Sequence, residues 1–180
     1  MRLNYKCNQI IICSFLLYIQ SVYSKLFYNH LAEYKINLII NGTGNQKILS
    51  DKYYGVLPDE ILVNNIIPAD TGYNLAYNLY YLVNEISLIW DPRLTSFKSL
   101  TKMFYNMSNI LEVDLSNFDS SNVERMDYMF YNCTSLTSIN FNNKFKTNNV
   151  NNMHSMFSGC ISLFSLDLNN FVYSKIKILS

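Results

Sequence analysis

Apolar and polar positions repeat with a fixed spacing over the second half of the chain. Val123, Met126, Met129, Phe130 and Cys133 stand at offsets 0, 3, 6, 7 and 10. Val150, Met153, Met156, Phe157 and Cys160 reproduce those offsets, and Phe97, Leu100, Met103, Phe104 and Met107 do so upstream. At about 100° per residue the five positions fall within a roughly 120° arc, the width of one buried helix face. The spacing therefore predicts three short amphipathic helices. Each is followed by a second pattern, Leu-x-x-Leu-x-Leu in outline: Ile110, Val113, Leu115; Leu136, Ile139, Phe141; Leu163, Leu166, Leu168. Its final alternation has the period of a strand with one buried face.

Met103 to Met129 spans 26 residues and Met129 to Met156 spans 27. A period in the twenties with one strand and one helix per unit predicts an α/β fold, a right-handed leucine-rich-repeat solenoid. Parallel strands would line its concave face and short helices its convex face. Ser121 and Glu124 form a capping-box pattern at one helix start, and Thr95 and Asn148 offer weaker caps. Phe118 and Phe145 are placed to fill the bends between strand and helix. An extra residue near Asn143-Lys144 accounts for the longer second period.

Residues 25–92 lack the repeat and read as β-rich. Ile36 to Ile40, the turn Asn41-Gly42-Thr43-Gly44 and Gln46 to Leu49 suggest a hairpin. Glu60 to Ile67 is a further candidate strand, and Tyr80 to Val83 with Ile86 to Trp90 would flank a turn at Asn84-Glu85. This region is expected to cap the apolar edge of the first coil; the alternative is an independent binding domain. The expected organisation is a signal peptide over 1–24, the cap over 25–92 and a repeat array over 93–180 of about three units. The array either ends in a degenerate turn or continues in a longer protein.

The leader reading rests on Arg2 and Lys6 ahead of an apolar run from Ile10 to Ile19, with small residues before Lys25. Ten apolar residues are about half of the ~20 needed to span a bilayer. Setting Arg2 and Lys6 aside, 14 − 2 = 12 basic residues face 13 acidic ones, and no basic run remains to suit nucleic acid or anionic membrane. With 49% hydrophobic residues, a core needs no metal or disulfide.

The stretch MFYNMSNILEVDLSNFDSSNVERMDYMFYNCTSLTSINF, followed by MFSGCISLFSLDLNNF, resembles the BspA-like leucine-rich-repeat surface proteins of bacteria and protists. The likeness covers Phe97 to Phe171. Met107 stands in place of the Cys of the first unit, and Asn140 and Phe141 in place of Asp and Leu in the second. The resemblance implies a secreted or surface-displayed protein that adheres to matrix or other cells, without catalysis by the repeats. It assigns nothing to 25–92.

Between the buried strand positions stand three polar columns: Glu112, Ser138, Ser165; Asp114, Asn140, Asp167; and Ser116, Asn142, Asn169. Stacked at about 4.8 Å, they would form a hydrogen-bonding concave face for a host or matrix protein or another surface protein, or simply a solvated one. Cys133 and Cys160 occupy equivalent places, as two buried thiols or as a pair drawn together where the coil turns. Two cysteines do not make a zinc site, and no cofactor pattern is present. His154 would face solvent, and no nucleophile-elbow pattern accompanies it. Asn41, Asn106 and Asn132 head glycosylation sequons, in a number that so Asn-rich a chain yields by chance. The composite reading is a secreted or surface adhesion protein, not an enzyme. Its alternatives are a structural coat or wall component without a specific ligand, or a non-catalytic fragment of a larger surface enzyme.

Overall fold

The computed structural model describes residues 34–68, 76–91, 97–142 and 144–173. The chain divides into two compact units, Met1–Ala32 and Glu33–Ser180, and every described residue belongs to the second. The leader reading, Thr95 as a cap and the insertion at Asn143 lie outside the described residues.

Among the described residues there are seven strands: β1 Tyr34–Asn41, β2 Gly44–Lys47, β3 Glu60–Val63, β4 Ala76–Leu79, β5 Val83–Ile89, β6 Ile110–Phe118 and β7 Ser138–Asn140. They form a five-stranded sheet in the order β3-β5-β1-β6-β7 and a two-stranded sheet of β2 and β4. Alternation explains β1: Ile36, Leu38 and Ile40 are fully buried, while the residues between them face the other side. That buried face meets Leu88, Ile86 and Asn84 of antiparallel β5 and Val113 and Ile110 of antiparallel β6. Among the named strands β6 and β7 are the parallel pair, and isolated parallel bridges join Ser99 to Arg125 and Arg125 to Asn152.

The hairpins expected between β1 and β2, and around Asn84-Glu85, do not form. β1 takes its partners from residues 83–89 and 110–118, β2 pairs with β4, and Asn84-Glu85 lies inside β5. Asn84 is wholly buried and spans three segments. Its Nδ2 donates to the carbonyls of Gly42 (3.2 Å) and Tyr81 (2.6 Å), and its Oδ1 accepts from Asn64 (3.1 Å). The candidate strand at 60–67 stops at Val63, because Asn64 and Asn65 adopt positive φ.

The Met-Phe segments are not helices. In the first, the N–H groups of Met103, Tyr105 and Met107 donate to the carbonyls three residues back, at 3.2, 3.2 and 3.1 Å. Met129, Tyr131 and Cys133 repeat this at 3.2 Å each, as do Met156, Ser158 and Cys160 at 3.2, 3.3 and 3.2 Å. The alternate N–H groups reach sideways. Leu100, Lys102, Phe104 and Asn106 donate to the carbonyls of Arg125, Asp127, Met129 and Tyr131, and Met126, Tyr128, Phe130 and Asn132 donate to those of Asn152, His154, Met156 and Ser158. Each segment is thus a row of consecutive β-turns laid against the next row.

Two left-handed residues per row rule out a helix: Lys102 and Asn106, Tyr128 and Asn132, Ser155 and Gly159, with φ between 51° and 81°. Turns closed by three-residue bonds return every third or fourth side chain to the same side, so they reproduce the apolar spacing of an α-helix without its backbone. Ser121 and Glu124 make no capping box. The Ser121 N–H donates to Asp119 (2.9 Å), and Glu124 pairs with Lys98 of the neighbouring row (2.9 Å). The expected helix-decorated leucine-rich-repeat solenoid with its parallel concave sheet is therefore overturned: among the described residues there is no helix, and the main sheet is mixed.

Val123, Met126, Met129, Phe130, Cys133 and Val150 are fully buried, and Met153 and Met156 nearly so. Phe157 and Cys160 are partly buried against the same core. Phe104, Phe130 and Phe157 stack in a column with centroids 5.4 and 5.7 Å apart. The strands and the rows share this core: Trp90 meets Phe97 (5.4 Å) and Phe118 (5.8 Å) edge-on, and Ser50 donates its N–H to the Met103 carbonyl (3.0 Å).

Candidate functional site

Opposite the core, the five-stranded sheet carries a second face whose residues come from both halves of the chain. Paired residues of adjacent strands point to the same side of a sheet. One line across all five strands therefore runs Leu62, Ser87, Asn37, Asp114, Asn140. The next runs Glu85, Ile39, Glu112, Ser138, and a third Glu60, Ile89, Lys35, Asn117. Hydrogen bonds stitch the first line: Ser87 Oγ donates to Asn37 Oδ1 (2.8 Å), and Asn140 Nδ2 to Asp114 Oδ1 (3.0 Å).

Exposure is uneven. Ser87 and Ile89 are buried, whereas Glu85, Glu112, Ser138 and Asn140 are exposed. Glu60 lies in the enclosed part. Burial raises its carboxyl above the ordinary range, and its Oε2 has no hydrogen-bond partner among the described residues. Glu85 and Glu112 flank Ile39 two strand spacings apart, about 9–10 Å. That distance is too long for one ion to bridge, and no cluster of three or more His, Cys, Asp or Glu able to hold a metal occurs among the described residues.

Of the nine polar-column residues, Glu112, Asp114, Ser138 and Asn140 come together on this face. Ser116 follows on β6, and Asn142 lies beyond the end of β7. Ser165, Asp167 and Asn169 are exposed but belong to no strand, so the three expected columns are not three-deep. Three of the nine have local work. Asp114 accepts the Ser116 N–H, Asn142 that of Lys144 and Asp167 that of Asn169, each at 2.9 Å. Each is a local side-chain-to-backbone bond of the Asx kind, within β6 for Asp114, just past β7 for Asn142 and in the strandless third segment for Asp167. Sequence reasoning missed Asn37, Ile39, Glu85 and Ser87. Alternation in Tyr34–Asn41 marks Asn37 and Ile39 as facing away from the core, but nothing in the sequence names β6 as their neighbour.

The remaining candidates have structural accounts. Asn106 and Asn132 are exposed and adopt φ of 58° and 57°, where Asn is among the few side chains readily accommodated; Gly159 takes the same place in the third row at 81°. Asn132 Nδ2 donates to Asn106 Oδ1 (3.2 Å). Asn41, also exposed, closes β1. His154 is half-buried, edge-on to Tyr128 at 5.1 Å. Cys133 and Cys160 are free thiols. Beside the third row an open, mainly apolar groove of about 530 Å³ runs along Met153, Phe157, Leu168, Phe171 and Tyr173.

Residues 83–180 match the family model described as Mycoplasma protein of unknown function, DUF285. The matched segment runs from β5 through the third row, more than half of the chain, and the chain belongs to this family. No curated protein and no solved structure matches it. No helix among the described residues is long and apolar enough to cross a membrane.

Proposed function

We propose that this is a secreted or surface-displayed, non-catalytic binding protein, an adhesin, and that the exposed part of the mixed-sheet face engages a partner protein. The observation that carries the reading is the charge of that face: among the described residues, Glu85, Glu112 and Asp114, with Glu60 in the enclosed part beside them, stand against Lys35 alone. A sheet supported from behind by a packed core holds these groups at fixed spacings. Charge arranged this way favours a basic patch on a host or matrix protein, or on another surface protein, and mainly accelerates and orients encounter. The resemblance of the Met-Phe repeats to BspA-like surface proteins points the same way.

The test is Glu85→Lys with Glu112→Lys, assayed for adhesion to matrix-coated surfaces and to cells at two salt concentrations. Both side chains are exposed, so folding should be retained, and circular dichroism melting checks this. The reading expects adhesion to fall roughly tenfold or more, and the parent's adhesion to weaken with salt. Unchanged adhesion by a folded double variant would remove the sheet face from the function and favour a coat component.

A further inference from the structure

Cys133 and Cys160 are the same position of two successive rows, and their surroundings repeat. Cys133 Sγ donates to the carbonyl of Phe104 at 3.0 Å, and Cys160 Sγ to that of Phe130 at 3.0 Å. Each thiol therefore points one row back, and the second lies over the first. The backbones beneath them touch. Asn132 donates its N–H to Ser158 O at 2.7 Å, and a Cβ added to Gly159 would lie 3.0 Å from Asn132 Cα. Rows in contact at about the strand spacing of 4.8 Å put equivalent Cα atoms inside the 4.4–6.8 Å window that a disulfide requires.

We propose that Cys160 is a thiol–disulfide exchange site, for which Cys133 is the resolving thiol, so that oxidation cross-links the second row to the third. Access sets the order of events. Cys133 is fully buried, whereas Cys160 is only partly so. The electrostatics agree: the polar contact with the neighbouring Cys133 thiol lowers the pKa of Cys160. The Cys133 thiol is pushed up, first by its interaction with Cys160 and then by burial. The thiolate is the attacking species, so Cys160 reacts first.

With a low-molecular-weight disulfide such as oxidised glutathione as the oxidant, the Cys160 thiolate attacks one of its sulfurs. A protein–glutathione disulfide forms and one glutathione thiolate leaves. Cys133 then loses its proton and attacks the Cys160 sulfur, forming the Cys133–Cys160 bond and expelling the second glutathione. Two electrons pass from the protein thiols to the oxidant, and the two protons end on the two glutathiones. Both sulfurs must give up their carbonyl partners and swing toward one another, a side-chain rotation within rows already in contact.

The experiment treats the full-length chain with oxidised glutathione under native conditions, alkylates under denaturing conditions and digests with trypsin. Cys133 then lies in the peptide from Met126 to Lys144 and Cys160 in that from Thr147 to Lys175, so only a disulfide joins them. The expected course is transient glutathione on Cys160, followed by the linked peptides, with a melting temperature raised relative to the reduced chain and restored by reductant. Cys133→Ser should arrest the reaction at a stable glutathione adduct on Cys160, and Cys160→Ser should leave Cys133 unmodified in the folded chain. Accumulation of that adduct in the parent with Cys133 still a thiol would overturn the proposal. Modification of Cys133 at the rate of Cys160 would overturn the order of attack.

Discussion

The strands β1 to β5 of residues 34–91 and the turn rows within residues 97–173, between which β6 and β7 run, bury comparable apolar side chains but connect their backbones in opposite ways. In the strand half, neighbours come from distant parts of the chain: β1 sits between β5 and β6, and β2 joins β4. In the rows, nearly every lateral bond joins residues 25–27 apart. The rows can therefore be changed locally, each neighbour supporting the next, while the strand half depends on a few residues that tie remote segments together. Its stability is concentrated; that of the rows is distributed.

The largest expected effect falls at the centre of the rows. Phe130 is fully buried and stacked between Phe104 and Phe157, so Phe130→Ala should cost about 3–5 kcal/mol. Denaturant melts followed by near-ultraviolet circular dichroism would measure it, and a loss below 1 kcal/mol would mean that the column is not packed. The strand half should break at Asn84 instead. Asn84→Ala removes the partner of the Gly42 and Tyr81 carbonyls and should cost about 1–3 kcal/mol. Hydrogen exchange should then rise first around residues 42, 64 and 81, and uniform exchange through the rows would dissolve the distinction between the two regions.

The smallest effect concerns a link between rows. Asp127 is almost buried; burial alone would raise its carboxyl, but hydrogen bonds from Arg125 (2.9 and 3.0 Å) and Thr101 (2.9 Å) outweigh it and hold the carboxyl below the ordinary range. A depressed folded pKa adds stability above the unfolded value of about 3.9, and that stability is lost as pH falls through the lower folded value. Because Arg125 is largely exposed, Asp127→Asn should cost only about 1 kcal/mol at pH 6. The gap to the parent should shrink below about pH 4. A gap that is constant down to pH 2 would assign the loss to packing.

The apolar spacing is plain in the sequence, whereas the backbone that carries it is not. Offsets of 3 and 4 arise from a helix and equally from consecutive three-residue turns, and the residues that decide between them, Lys102, Tyr128 and Ser155 at positive φ, have no sequence preference that announces it. Asn106, Asn132 and Gly159 do carry such a signal, yet in the sequence it reads as a set of sequons and a chance glycine. For the candidate face, alternation identifies Glu112, Asp114, Ser138 and Asn140. Ser165, Asp167 and Asn169 fall away because the third segment forms no strand, and Phe164 beside them is 92% exposed. Glu85 and Asn37 were illegible as partners because of β6–β7, β5–β1 and β1–β6 only the first joins consecutive strands.

The sideways bonds of the rows also give them an electrical character. Eight of them run the same way, from N–H groups of one row to carbonyls of the next, against three flanking bonds that run back, from Glu124 to Lys98, Asn151 to Glu124 and Thr137 to Leu111, so the peptide dipoles within the Met-Phe segments add, whereas those of an ordinary sheet largely cancel. A helix accumulates a macrodipole for the same reason. Although no helix is present among the described residues, the stack acquires a field directed along it, with its positive pole toward residues 153–159. Carboxylates are stabilised at that pole and ammonium groups at the opposite one.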